Sequence, residues 1–168
     1  MAVQSSTTIN AGIDLVARAF ADENFARFAS EKVRVTFESF QLQGDPAAAF
    51  TTTTVRSVPA DRLPDMAKKI PGASHGISLT QVDQVSAPAA DGSRTVVSEV
   101  SVKGVPVTGK ASQSLTPQGD TTVANVEGEV KCSIPLVGKK IAAAAEPQIG
   151  RVFSALGSCA EEFIQNNY

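Results

Sequence analysis

The stretch from Thr121 to Phe163, TTVANVEGEVKCSIPLVGKKIAAAAEPQIGRVFSALGSCAEEF, changes its hydrophobic period once, at Pro135. Before this proline, small or apolar residues alternate with polar ones, with Ala124, Val126, Val130 and Cys132 on one face and Asn125, Glu127, Glu129 and Lys131 on the other. Such alternation predicts a strand with one buried face and one solvent-exposed face, as in an antiparallel sheet. After the proline, apolar residues recur every three or four positions, at Ile141, Ala145, Ile149, Val152, Leu156, Cys159 and Phe163. That spacing predicts an amphipathic helix.

The predicted terminal helix runs from about Leu136 to Asn166 and would be roughly 45 Å long at 1.5 Å per residue. Pro147 lies inside it and should bend the helix or separate its first turns. An antiparallel sheet with one apolar face needs a cover, and this helix is the one element long enough to supply it. We therefore expect the helix stripe, including Val152 and Leu156, to be buried.

The residues before Thr121 predict a strand, two short helices and five further strands. Asn10 and Asp22 are the predicted N-caps of the two helices. A further short helix is predicted at about residues 63–69, among three prolines, and Pro117 is expected to begin the last turn between strands. The predicted strands are Val3–Ile9, Val33–Gln43, Ala48–Val58, Ile77–Ser86, Arg94–Lys103 and Val107–Thr116. The order predicts an α+β class, and a length of 168 residues suits one domain spanning residues 1–168.

Composition and charge exclude several classes of function. The net charge is −2 and no segment is strongly basic, so nucleic acid is not an expected partner. No apolar run approaches the roughly 20 residues that span a membrane, and the residues after Met1 do not read as a signal peptide, so we expect a cytoplasmic protein without integral membrane association. His75 is the one histidine, and Cys132 and Cys159 lie far apart. We therefore expect no metal site, no cofactor and two buried, reduced thiols.

One segment is specific enough to suggest a family. The order of elements resembles the START-like (SRPBCC) superfamily, which includes polyketide cyclases and relatives of the birch pollen allergen. The segment Val126–Ile141, VEGEVKCSIPLVGKKI, is similar to a bacterial family within it, domain of unknown function 2505, in which the last strand enters the long helix through an Ile-Pro-Leu-Val-Gly-like turn. The resemblance implies a helix-grip fold, in which a curved antiparallel sheet of about seven strands surrounds the long C-terminal helix. It implies no catalytic residue.

The polar residues of the sequence offer no convincing catalytic site. Alternation places Glu99, Glu127 and Glu129 on solvent-exposed faces of strands. Glutamates in such positions ordinarily carry a hydrated surface charge. His75 lies in a loop without a fixed partner in sequence, and there is no nucleophile elbow or phosphate loop. We therefore predict no catalytic residue.

Small residues on the facing surfaces leave two interpretations open. Gly109, Ala111, Ala124 and Gly128 on strands face Ala142–Ala145 and Gly157 on the helix, and they either bring the layers together or leave a pocket. If a pocket exists, the residues predicted to bind a ligand are Val100, Val126, Val130, Ile149, Val152, Phe153 and Leu156. Three functions follow: binding of a hydrophobic small molecule or lipid, a polyketide cyclase-like or hydrolase activity on an apolar substrate, or a non-catalytic structural or interaction role with a filled core. The sequence leaves the oligomeric state undetermined.

Overall fold

The elements follow the order expected from the sequence. The computed structural model of the chain describes residues 3–63, 65, 67–70 and 72–168, without the side chains of residues 3, 67 and 149. Two short 3-10 turns, Ala60–Arg62 and Ala67–Lys69, stand where one short helix was expected. The strands and helices are β1 (Val3–Ile9), α1 (Ile13–Phe20), α2 (Glu23–Lys32), β2 (Thr36–Gly44), β3 (Phe50–Val58), β4 (Ile77–Val85), β5 (Arg94–Val102), β6 (Val107–Gln118), β7 (Thr121–Cys132) and α3 (Gly138–Asn167).

The seven strands form one curved antiparallel sheet with the order β1-β7-β6-β5-β4-β3-β2. Each strand from β2 to β7 pairs with its neighbour in sequence. Strand β1 pairs with β7, so β1 and β2 are the two edge strands of the sheet. The chain therefore crosses from one edge of the sheet to the other through α1 and α2. A bulge between Phe37 and Ser39 interrupts the pairing of β2 with β3. This arrangement confirms the α+β helix-grip fold.

Two local predictions are wrong for identifiable reasons. The N-cap of α1 is Gly12, because a tight turn with a hydrogen bond from the Ala11 N–H to Ile9 O places Asn10 before the helix. The backbone N–H of Asn10 donates to Glu161 Oε1 at 2.7 Å. Pro117 does not begin a turn but extends β6. It lies beyond the last residue that pairs with β5, so its missing N–H removes no bond on that side. Asp22 is the N-cap of α2, as predicted, and accepts a hydrogen bond from the Asn24 N–H at 2.9 Å.

Helix α3 begins at Gly138 and continues through Pro147 to Asn167. Its first residue sits directly against the sheet, because a Cβ atom at Gly138 would lie 2.4 Å from the carbonyl oxygen of Cys132. Glycine is therefore the residue that allows β7 to turn into α3 so closely. The turn also holds Leu136 at a positive φ of 70°, with its side chain 99% exposed.

The C-terminal half of α3 is clamped to α1 and α2 by aromatic rings. Phe163 is 3% exposed and lies 5.6 Å from Phe25, 5.9 Å from Phe28 and 5.5 Å from Tyr168, measured between ring centroids. Cys159, Ala160 and Ile164 are buried beside it. This end of α3 is the dense part of the core.

The middle of α3 is less buried than the helical stripe predicts. Val152 is 43% exposed, and Leu156 is only partly buried against the core. The expectation that Val152 is buried is therefore wrong, because a cavity separates this part of the helix from the sheet. In the described part of the chain, no helix is both long and apolar enough to cross a membrane.

Candidate functional site

A cavity of about 490 Å³ lies between the concave face of the sheet and the first two thirds of α3. Its walls come from β3 to β7, from α3, from the end of α2 and from the 3-10 segment. Most of the lining is apolar, including Val58, Leu63, Ile70, Ile77, Leu79, Val100, Val102, Val107, Val130, Ile141, Ala144, Ala145, Val152, Phe153 and Leu156. The two layers therefore enclose space that side chains do not fill.

Small residues on the sheet create much of this space. A Cβ atom added at Gly109 would meet only Val100 Cβ at 3.9 Å and Glu129 O at 4.0 Å, which are ordinary contacts. Ala111 follows on the same face of β6, and Ala144 and Ala145 face the cavity from α3. By contrast, a Cβ at Gly157 would meet Thr7 Cγ2 at 2.9 Å. Small residues thus leave a pocket at one end of α3 and bring the helix against β1 at the other.

The seven residues predicted to bind a ligand do not all line the same space. Val100, Val130, Val152, Phe153 and Leu156 all line the large cavity. Val126 lies elsewhere, in a smaller void of about 70 Å³ nearer α1 and α2. Ile149 belongs to α3, but its side chain lies outside the described residues.

The smaller void adjoins the large cavity on the side of α1 and α2. Both spaces share five lining residues, which are Arg56, Gln81, Ser98, Phe153 and Leu156. The smaller void also has polar walls, with Thr52, Thr54, Asp83 and Gln113 among them. The pocket is therefore apolar at its outer end and polar where the two spaces meet.

A chain of hydrogen bonds joins the polar residues at this junction. Arg56 donates from Nη1 to Gln81 Oε1 at 2.8 Å, and Gln81 Nε2 donates to both oxygens of Asp83 at 3.0 and 2.9 Å. The Ser98 hydroxyl also donates to Asp83 Oδ1, at 2.5 Å. On the other side, Arg56 Nε donates to the hydroxyl of Ser30, a residue of α2, at 2.8 Å. Gln81 thus lies between a guanidinium and a carboxyl group.

Burial shifts the pKa values of both charged groups towards their neutral forms. Loss of water raises the pKa of the Asp83 carboxyl, although hydrogen bonds from Ser98 and Gln81 and the charge of Arg56 oppose the shift. Burial lowers the pKa of Arg56, and the charge of Asp83 acts in the opposite direction. Titratable groups with perturbed pKa values inside a cavity are candidates for a functional role.

Sequence reasoning missed these inward polar residues, although a signal for them exists. In β4, Gln81 and Asp83 have the same parity as Ile77, Leu79 and Val85, so strict alternation places them on the apolar face. Likewise, Arg56 in β3 shares its parity with the buried Phe50. Strand parity, rather than residue type, would have identified the cluster.

The other polar candidates lie on the outer surface. Glu99 is exposed and pairs with Lys110 at 3.9 Å, and Glu127 and Glu129 are also exposed. His75 is exposed in its loop. Within the residues that the structure describes, no three His, Cys, Asp or Glu side chains are grouped so as to hold a metal ion.

The two cysteines are free thiols in different surroundings. Cys159 is buried, and burial raises the pKa of its thiol. Cys132 is only half-buried, less than the sequence led us to expect.

A curved seven-stranded sheet that grips a long C-terminal helix over a cavity is the START-like fold, and solved structures share this fold with the chain. A START superfamily protein from Mycobacterium smegmatis aligns over 99% of both chains, with 13% identity and a TM-score of 0.57. The protein TTHA0849 from Thermus thermophilus aligns over 99% of this chain and 98% of its own, with 12% identity and a TM-score of 0.60. Norcoclaurine synthase from Thalictrum flavum, in complex with dopamine and hydroxybenzaldehyde, aligns over 100% of this chain and 88% of its own, with 13% identity and a TM-score of 0.51.

The sequence itself assigns the chain to a narrower family. Residues 4–164 match the family described as a protein of unknown function, DUF2505, and the chain belongs to that family. Among curated proteins, none matches the chain by sequence. The low identities to the solved structures show a shared fold and nothing finer.

Proposed function

We propose that this protein binds a hydrophobic small molecule or lipid between the sheet and α3, as one domain spanning residues 1–168. The observation that carries the proposal is the cavity of about 490 Å³ with mostly apolar walls. Ligand pockets typically measure ~300–1,000 Å³ and have apolar linings with a few polar groups. Binding would rest on buried apolar area, at about 25 cal/mol per Å² before ordering costs.

The expected location is the cytoplasm. The support for this location is that Cys132 and Cys159 are both free, which suits a reducing compartment.

Binding is tested with N-phenyl-1-naphthylamine, a neutral probe whose fluorescence rises in apolar surroundings. The wild-type protein should bind it saturably. Gly109→Leu places a side chain into the open space of the cavity and should weaken binding about tenfold or more. Ser112→Leu adds a similar group to the exposed face of the same strand and is the matched control.

Two results would refute the proposal. If the wild type does not bind the probe, or if Gly109→Leu binds it as well as Ser112→Leu does, the cavity is not a binding site. Native mass spectrometry of protein purified without denaturant adds an independent measurement, because a retained ligand would appear as a fixed mass increment.

A second candidate is an enzyme, cyclase-like or hydrolytic, that acts on an apolar substrate. The observation in its favour is Asp83, a carboxyl group in the wall of the smaller void, whose pKa is raised by burial. A synthase shares the fold, which supports the same candidate. Conversion of a bound compound that is lost in Asp83→Asn would favour catalysis, whereas recovery of the compound unchanged would favour binding alone. A filled core with a purely structural role is the least supported candidate, because side chains leave the cavity unfilled.

A further inference from the structure

The polar junction of the cavity has an unequal supply of hydrogen-bond donors and acceptors. Asp83 accepts bonds from Ser98 and Gln81, and the amide of Gln81 is engaged at both its oxygen and its nitrogen. The Ser30 hydroxyl donates to Ala26 O at 2.7 Å and accepts from Arg56. Ser30 and Gln81, the two partners of the guanidinium, are therefore each bonded to a further protein group as well.

Arg56 retains donors that these partners do not use. A guanidinium has five N–H groups, and the bonds to Ser30 and Gln81 use one each on Nε and Nη1. Among the described residues, no protein group accepts a hydrogen bond from Nη2, since the bonds of Arg56 come from Nε and Nη1. Arg56 lines both the large cavity and the smaller void, so its guanidinium belongs to the wall that the two spaces share.

We propose that the ligand of this cavity is an apolar molecule with one hydrogen-bond-accepting oxygen group, a carboxylate or a carbonyl, which Arg56 binds at the junction. The inference rests on the proposed binding function and specifies its ligand. The apolar body of the ligand occupies the large cavity, beside Val100, Val130 and Phe153. Its oxygen supplies the acceptor that the guanidinium lacks.

The geometry favours an acceptor over a donor for a simple reason. The carboxyl oxygens of Asp83 already receive protein donors, whereas a guanidinium has no acceptor atom and its free N–H groups gain from any oxygen. Hydrogen bonds to charged groups are stronger than neutral ones, and a carboxylate can take two parallel N–H bonds from arginine. Gln81 and Ser30 hold the guanidinium in place before the ligand arrives, which lowers the ordering cost of binding.

The test compares ligands that share a ten-carbon chain and differ in the head group. Decanoic acid, methyl decanoate and decane each compete with N-phenyl-1-naphthylamine for the wild-type protein. The inhibition constants of decanoic acid and methyl decanoate against the probe should be about tenfold lower than that of decane. One hydrogen bond to a charged group implies a difference of this size. A gain for the acid alone assigns the head group as a carboxylate, and a gain for both acid and ester assigns it as a carbonyl-type acceptor.

The variants assign that preference to Arg56. Arg56→Leu should abolish the head-group preference while decane still binds. Arg151→Leu, at an exposed arginine of α3, is the matched control and should retain the preference. If Arg56→Leu does not fold, Arg56→Lys serves instead, because it keeps the charge but loses the planar set of donors and should reduce the preference.

Failure of this inference differs from failure of the proposed function. Equal displacement by all three ligands in the wild type, or a preference that persists in Arg56→Leu or Arg56→Lys, overturns the role of Arg56 while binding stands. If the probe itself does not bind, the binding function is refuted.

Discussion

Two substitutions on one helix test whether α3 is clamped at one end and borders a cavity in its middle. Phe163→Ala removes a ring that is 3% exposed and packs against Phe25, Phe28 and Tyr168. Leu156→Ala removes a side chain that is only partly buried and already lines the cavity. The two residues lie seven positions apart on the same face of α3.

The expected losses follow from what surrounds each side chain. Phe163→Ala leaves a new hole in a dense core, and such changes cost about 3–5 kcal/mol in unfolding free energy. Leu156→Ala only enlarges an existing space, so the cost is the transfer of its buried atoms without a further cavity term, about 1–2 kcal/mol. A domain with a typical stability of ~5–15 kcal/mol would tolerate the second change far better than the first.

Urea unfolding followed by circular dichroism measures both losses, and equal slopes of free energy against urea show that the same transition is compared. Phe163→Leu is the conservative control and should retain more of the stability than Phe163→Ala. If Leu156→Ala loses as much as Phe163→Ala, or more, the middle of α3 is packed against the sheet and the description of the cavity is wrong.

Three further predictions concern single groups. Gly138→Ala should cost about 1–3 kcal/mol in urea unfolding, because the new methyl group meets the Cys132 carbonyl oxygen at 2.4 Å and backbone must move; an unchanged midpoint would contradict the close approach. Asp83→Asn should gain stability relative to the wild type as pH rises from 4 to 8, since the raised pKa of Asp83 means that its stabilising contribution is present at low pH and lost as the carboxyl ionises; parallel pH profiles would refute this. The pKa of Tyr168, the one tyrosine of the chain, should lie at about 12 by absorbance titration, because burial and the hydrogen bond to Asp22 disfavour the phenolate, and Asp22→Asn should lower it. A pKa near 10 in the wild type would show that the contact with Asp22 does not form.

The sequence predicted the architecture because its periods are long and regular. Alternation through β7 and the three- and four-residue spacing of α3 each extend over many residues, so local errors do not change the result. The failed predictions involve the ends of elements, at Asn10 and Pro117, and the burial of Val152 in the middle of α3. The cap of α1 is Gly12 rather than Asn10, and the backbone N–H of Asn10 donates instead to Glu161, a residue 151 positions away.

The candidate site was predicted only in part. Val100, Val130, Val152, Phe153 and Leu156 line the cavity, and their role in binding a ligand stays a prediction. The side chain of Ile149 is not described, so its part of that prediction stays untested.

The sequence by itself determined which face each residue of a strand or helix presents, because backbone geometry imposes a period of 2.0 or 3.6. Only the tertiary structure decided what those faces meet. The register places Thr52, Asp83 and Ser98 on one row across β3, β4 and β5, and this row turns separate polar residues into one buried cluster. The distance between α3 and the sheet decided that the middle of the helix borders a cavity. Both outcomes depend on contacts between distant segments, and a local pattern along the chain carries no information about such contacts.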